Sequence, residues 1–142
     1  MVMEDLAAMP EFALYPLPAQ VADKVCAMYG KYGWNGGPSS RYHDLVDLVL
    51  IISAWRIAAD VLARALSQES ERRGLVLPPA MSAPSAGWTA GYEAIARTVS
   101  GLPDSALTFD SALVVAGRCL DPILSNRVVL GFWDPETAEW SE

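Results

Sequence analysis

The chain has 142 residues, 52 % of them hydrophobic and 19 % charged, and ten bases against seventeen acids give a formal charge of −7. A chain of this size buries a core without metals or disulfides, so one domain over 1–142 is expected and a disordered protein is excluded. The acidic balance argues against direct nucleic-acid binding, because affinity for phosphate rests on basic contacts. Cys26 and Cys119 form no metal or disulfide framework. Both fall on apolar helix faces, so buried free thiols in a reducing compartment are expected. The start Met-Val-Met-Glu-Asp is acidic where a signal peptide is basic, and the chain is expected in the cytoplasm.

Pro10, Pro16 and Pro18 punctuate an extended N-terminal stretch that includes Phe12 to Tyr15. A helix is predicted over 18–29, with Pro18 in its first turn and Gly30 beyond its end. Val21, Val25, Met28 and Tyr29 repeat there at helical spacing. Residues 30–40 read as a glycine-rich loop carrying Trp34.

The dominant feature is one long helix expected over 43–73, following Ser39-Ser40 and stopped by Gly74. A step of roughly 100° per residue puts Leu48, Ile51, Trp55, Ala58, Leu62, Ala65 and Leu66 on one side. Ser53, Arg56, Asp60 and Arg64 fall opposite. That spacing of charges excludes a membrane span, in which each would cost several kcal/mol. A Pro/Ala/Ser-rich connector follows over 74–87. A helix is then predicted over 89–99 with Thr89 as N-cap and Glu93–Arg97 as an i,i+4 pair. Another is predicted from 105 or 108 to 120, stopped by Asp121-Pro122.

Residues 127–133 switch to a β-branched and aromatic pattern, and Asp134-Pro135-Glu136-Thr137 is turn chemistry. With Glu139-Trp140 returning, a C-terminal hairpin is expected, and residues 12–15 are the candidate third strand. The fold class is thus mainly α (α+β): a small helical domain around one long central helix, with a C-terminal β-hairpin or small antiparallel sheet.

Few residues suggest chemistry. His43-Asp44-x-x-Asp47 opens the long helix, and its two carboxylates project toward the apolar side. Ordinary first-turn acids favoured by the helix dipole outweigh a metal site there, and no metal or other cofactor is expected. The Gly33–Gly37 loop lacks the residues of a phosphate-binding motif. No nucleophile motif is present, and no motif ties the chain to a known family.

Charge is segregated instead. Residues 1–23 hold four acids and no base, as do residues 132–142, while the rest nets +1. With no catalytic constellation, the sequence reads as a non-enzymatic protein–protein interaction protein. The expected role is an acidic inhibitor or adaptor binding a basic, nucleic-acid-handling partner, with phage-encoded inhibitors of bacterial defence as the model. Trp133, Asp134, Glu136, Glu139, Trp140 and Trp34 are the expected partner-binding residues, the tryptophans as anchors and the acids as steering charges. Oligomeric state is left open. Two alternatives stand beside this: a structural assembly subunit of a viral particle, and a small metal- or ligand-binding enzyme using Asp44, Asp47 and His43.

Overall fold

The computed structural model describes residues 16–32 and 36–141. Helix α1, Leu17–Tyr29, opens with Pro18, where a missing N–H is no loss, and buries Val21, Ala22, Val25, Cys26 and Met28. A two-residue strand pair, β1 (Lys31–Tyr32) and β2 (Gly37–Pro38), follows in antiparallel register. The Phe12–Tyr15 candidate strand and Trp34 lie outside the described residues.

The long helix expected over 43–73 is two helices. Helix α2 spans Tyr42–Ala54 and α3 spans Ala59–Arg73. Between them Trp55 is extended (φ −124°, ψ 144°) and Ile57–Ala58 form strand β3. No Gly or Pro causes the break; tertiary partners do. The Trp133 indole N–H donates to the Ile52 carbonyl at 2.8 Å, satisfying an acceptor that a helix end otherwise leaves open. Ile57 pairs with Trp133 and Ala58 with Phe132, and Ala59 N–H donates to Gly131 O at 2.9 Å. Sheet pairing therefore overrides the local helical preference.

The predicted stripe survives the break in part. Leu48, Ile51 and Leu62 are fully buried and Leu66 nearly so, whereas Trp55, Ala58 and Ala65 are half-buried. Arg56, Asp60 and Arg64 face solvent as expected. Helix α3 ends as predicted at Gly74, whose left-handed conformation (φ 67°, ψ 33°) lets Gly74 and Leu75 N–H close back on Glu71 and Ser70 carbonyls.

Helix α4 is Trp88–Ala96, one residue earlier than predicted and without a side-chain cap. Glu93 does not pair with Arg97. Its Oε2 accepts from Phe109 N–H at 3.0 Å, capping the next helix. That helix, α5, spans Phe109–Leu124 with Thr108 Oγ1 accepting from Ser111 N–H at 3.2 Å. It runs through Pro122 rather than stopping at Leu120, since a proline in the last turn forfeits a single intrahelical bond. A short 3₁₀ turn, Asp104–Ala106, precedes it.

The sheet is completed by β4 (Phe132–Asp134) and β5 (Glu139–Ser141), in the antiparallel order β3-β4-β5. Residues 127–131 are not part of it. The result is a mainly helical α+β fold with a small antiparallel sheet at the C-terminal end, and its third strand comes from the middle of the chain. The core joins α1, α2 and α3 to an aromatic group of Trp88, Tyr92 and Phe109. Among the described residues, no helix is long and apolar enough to cross a membrane.

Candidate functional site between the first two helices

Lys24 sits on α1 in line with Val21 and Met28, so its side chain runs toward the packed face rather than away from it. Its ammonium lies 2.9 Å from Asp47 Oδ2 and 3.8 Å from Asp44 Oδ1, both on α2. Arg41, the residue preceding α2, brings Nε to 3.2 Å from Asp44 Oδ2. Asp44 is 5 % exposed. Arg41 is far more open, with about half its side chain exposed.

Asp44 is the unusual member. Its Oδ2 is sealed from solvent and receives no hydrogen bond among the described residues; the Arg41 contact is ionic without a donor aimed at that oxygen. Buried carboxylates normally collect directed donors. Desolvation pushes the Asp44 carboxyl above the ordinary carboxylate range, and the opposing pull of Arg41 and Lys24 does not cancel it. A buried, underpaired charge costs stability, and such groups concentrate at sites that bind or react.

The local backbone around this cluster is held firmly. Ser39 is 3 % exposed; its hydroxyl donates to Met28 O at 2.6 Å, and its carbonyl accepts from the Trp88 indole N–H at 3.0 Å. Tyr42, at the start of α2, packs edge-on to Trp88 with ring centroids 4.8 Å apart. Gly91 permits this approach, since a Cβ there would stand 2.3 Å from the Tyr42 ring.

The residues predicted from sequence are distributed differently. Asp44 and Asp47 are brought together by Lys24, while His43 faces solvent. Lys24 and Arg41 were not among the predicted site residues. A signal for Lys24 was present, namely a lysine inside an apolar helical stripe. Arg41 carried none. At the C-terminus, Trp133 is 1 % exposed and directly opposes half-buried Trp140 across the hairpin, with centroids 5.6 Å apart. Trp140 donates its indole N–H to Cys119 O at 2.9 Å. Both rings are therefore engaged in packing, as cross-strand pairs are. Glu136 and Glu139 are exposed, and half-buried Asp134 accepts from Glu136 N–H at 2.9 Å. Cys26 and Cys119 are buried free thiols, and burial raises both above the ordinary thiol range.

Helices α1 to α4 and the Lys24–Asp44–Asp47 centre fall within residues 2–115, which match the family model described as nucleotidyl transferase AbiEii toxin, type IV TA (toxin–antitoxin) system. The match covers well over half of the chain, and the chain belongs to that family. No curated protein and no solved structure matches it. Membership in a family of enzymatic toxins overturns the expectation of a non-enzymatic acidic inhibitor or adaptor, and with it the model of a phage-encoded inhibitor and the viral-subunit alternative. The absence of familiar nucleophile motifs misled that reading, because nucleotidyl transfer needs no side-chain nucleophile; positioned charges can stabilise the phosphoryl groups.

Phosphoryl-transfer sites commonly hold divalent cations on carboxylates. Asp44 and Asp47 do not fit that role in this arrangement: Lys24 already provides the cation between them, and Arg41 stands at the remaining Asp44 oxygen. A hard divalent ion takes six or more oxygen ligands. Among the described residues no group of three or more His, Cys, Asp or Glu side chains could hold a metal.

Proposed function

We propose that the chain acts as a nucleotidyltransferase toxin, in the cytoplasm, with the Lys24–Arg41–Asp44–Asp47 cluster as the polar site that positions the nucleoside triphosphate. In such a transfer an acceptor oxygen attacks the α-phosphorus and pyrophosphate leaves. Negative charge grows on the departing phosphates, and fixed cations at that point lower the barrier. Arg41 is exposed, adjacent to the buried carboxylate and not locked into a directed hydrogen bond, so it can turn to a phosphate without breaking a strong contact. Lys24 is fixed by its two aspartates and sets the local potential. The observation that carries this reading is the sealed, underpaired Asp44 carboxylate within the family-matched span.

The test is transfer of label from α-³²P nucleoside triphosphates to RNA or protein in a cell extract, alongside growth on induced expression. The wild type is expected to label an acceptor and arrest growth. Arg41→Gln, a substitution at a half-exposed position, should lower transfer by about 30-fold or more with folding intact, in line with removal of one charge-stabilising donor. Absence of label with all four triphosphates, together with normal growth, would overturn the reading.

A further inference from the structure

Far along the chain from the Lys24 centre, an open groove of about 470 Å³ is lined by Met81, Gly117, Arg118, Asp121 and Arg127, among others. Its two guanidinium groups are free of described carboxylates: neither lies within ion-pair distance of one. Asp121 also lines the groove and is held by another part of the lining. Its Oδ1 accepts from Met81 N–H at 2.7 Å. Gly117 makes room for this carboxylate to lie against α5, since a Cβ there would stand 2.8 Å from Asp121 Oδ2. Arg127 is oriented from its other side, its Nε donating to Ser125 Oγ at 2.8 Å. Its terminal nitrogens remain available.

A second groove of about 500 Å³ shares Val114 and Arg118 with the first and is walled by Pro103, Trp133 and Pro135. Val114 is 63 % exposed between the two. One side of this ridge thus offers two unpaired guanidiniums, the group best suited to grip phosphate. The other offers an apolar trough of a size suited to a small organic body. In a protein of net charge −7, a groove whose lining holds two arginines against one carboxylate is a locally positive place, where an anion is accepted rather than repelled. Much of this surface, including Arg118 and Arg127, lies beyond the family-matched span.

We propose that the paired grooves bind a phosphate ester, with its phosphate between Arg118 and Arg127 and its organic part across Val114 in the apolar trough. A free mononucleotide and one unit of a single strand share this chemistry. The site shares no residue with the Lys24 cluster, and its test is read locally at the Val114 methyl resonances of the isotope-labelled full chain. Inorganic phosphate, a nucleoside monophosphate and a short single-stranded oligonucleotide are titrated in turn. The monophosphate should bind about fivefold or more tighter than inorganic phosphate because it also buries apolar surface. Further gain with the oligonucleotide would assign the ligand to a strand, and equal affinity would assign it to the free nucleotide. Arg118→Gln with Arg127→Gln should weaken binding about tenfold or more, as loss of two charge-assisted contacts requires, while Lys24→Met leaves the Val114 response in place. A Val114 response that is absent, or unchanged in the double variant, would overturn the proposal whatever the transfer assay gives.

Discussion

Asp23 and Lys24 are neighbours in α1, yet they anchor two ion-pair groups of opposite character. Asp23 pairs with Arg73 of α3, whose Nε also donates to Glu69 Oε2 at 2.6 Å, and Arg72 reaches the same oxygen at 2.6 Å. There the charges alternate and each meets a directed partner at the surface. On the other side, Lys24 faces α2, where Asp44 is buried with one oxygen that nothing donates to. The two carboxylates report this difference. Hydrogen bonds from Arg72 and Arg73 hold Glu69 below its ordinary range, whereas burial holds Asp44 above its own. A network that serves the fold satisfies its charges. One that leaves a carboxylate underpaired in the interior keeps capacity for something else, and the function proposed above puts that capacity to use in nucleotide chemistry.

The sharpest way to break the contrast is Lys24→Met. It leaves Asp44 and Asp47 facing each other without their shared cation, and an uncompensated buried charge costs roughly 3 kcal/mol when its partner is removed. Arg41, which remains beside Asp44, and the partial exposure of Asp47 reduce this to about 2 kcal/mol, measured by urea unfolding at neutral pH. Adding Asp44→Asn should recover much of the loss, because the charge left unpaired is then gone. A Lys24→Met loss below about 0.5 kcal/mol, the size of an ordinary surface substitution, would show that the cluster is merely solvated.

Asp44→Asn alone should have a smaller effect, and one of opposite sign. Because the folded-state pKa of Asp44 is raised, the native protein carries no penalty while the group is protonated at low pH. Stability is lost as pH rises through that raised value and the buried carboxylate must ionise. The asparagine variant should therefore match the wild type in acid and exceed it by about 1 kcal/mol at neutral pH, while transfer activity falls. Gain of stability with loss of activity is the mark of a group retained for function. A variant less stable than wild type at neutral pH, and still active, would place Asp44 among ordinary structural ion pairs.

Much of this was legible in the residues, and the limits are instructive. Helix α1 with Pro18 and Gly30, the Gly74 stop and the hairpin turn all follow from local chemistry and agree with the structure. The break at Trp55–Ala58 was hidden because its cause lies 81 residues away, in the Trp133 indole that meets Ile52 O. For the same reason the local sequence gives no sign that Ile57–Ala58 is a strand of that sheet. At the site, the inward placement of Asp44 and Asp47 could be read from helical stepping. Their cation could not, because Lys24 belongs to a different helix and only packing sets it between them. The functional expectation failed through reliance on side-chain nucleophiles and on the acidic ends, of which Asp23 alone proves to be tied into a structural ion pair within the described residues.

Glu69→Gln gives the smallest effect and completes the contrast. Glu69 has a lowered pKa in the folded state, with Arg72 and then Arg73 as its principal donors. Its contribution is present above the unfolded pKa and disappears as pH falls through the folded one. The variant should therefore be less stable than wild type at neutral pH and converge with it in acid, the reverse of Asp44→Asn. Surface ion pairs are screened, so the neutral-pH difference should be about 0.5 kcal/mol, and added salt should shrink it. Transfer should be unaffected, because the Arg73 network joins α3 to Asp23 and shares no ion pair with the Lys24 cluster. If Glu69→Gln instead lowers transfer as much as Arg41→Gln does while stability holds, the two faces of α1 work as one site, and the functional surface extends around the helix to Arg72 and Arg73.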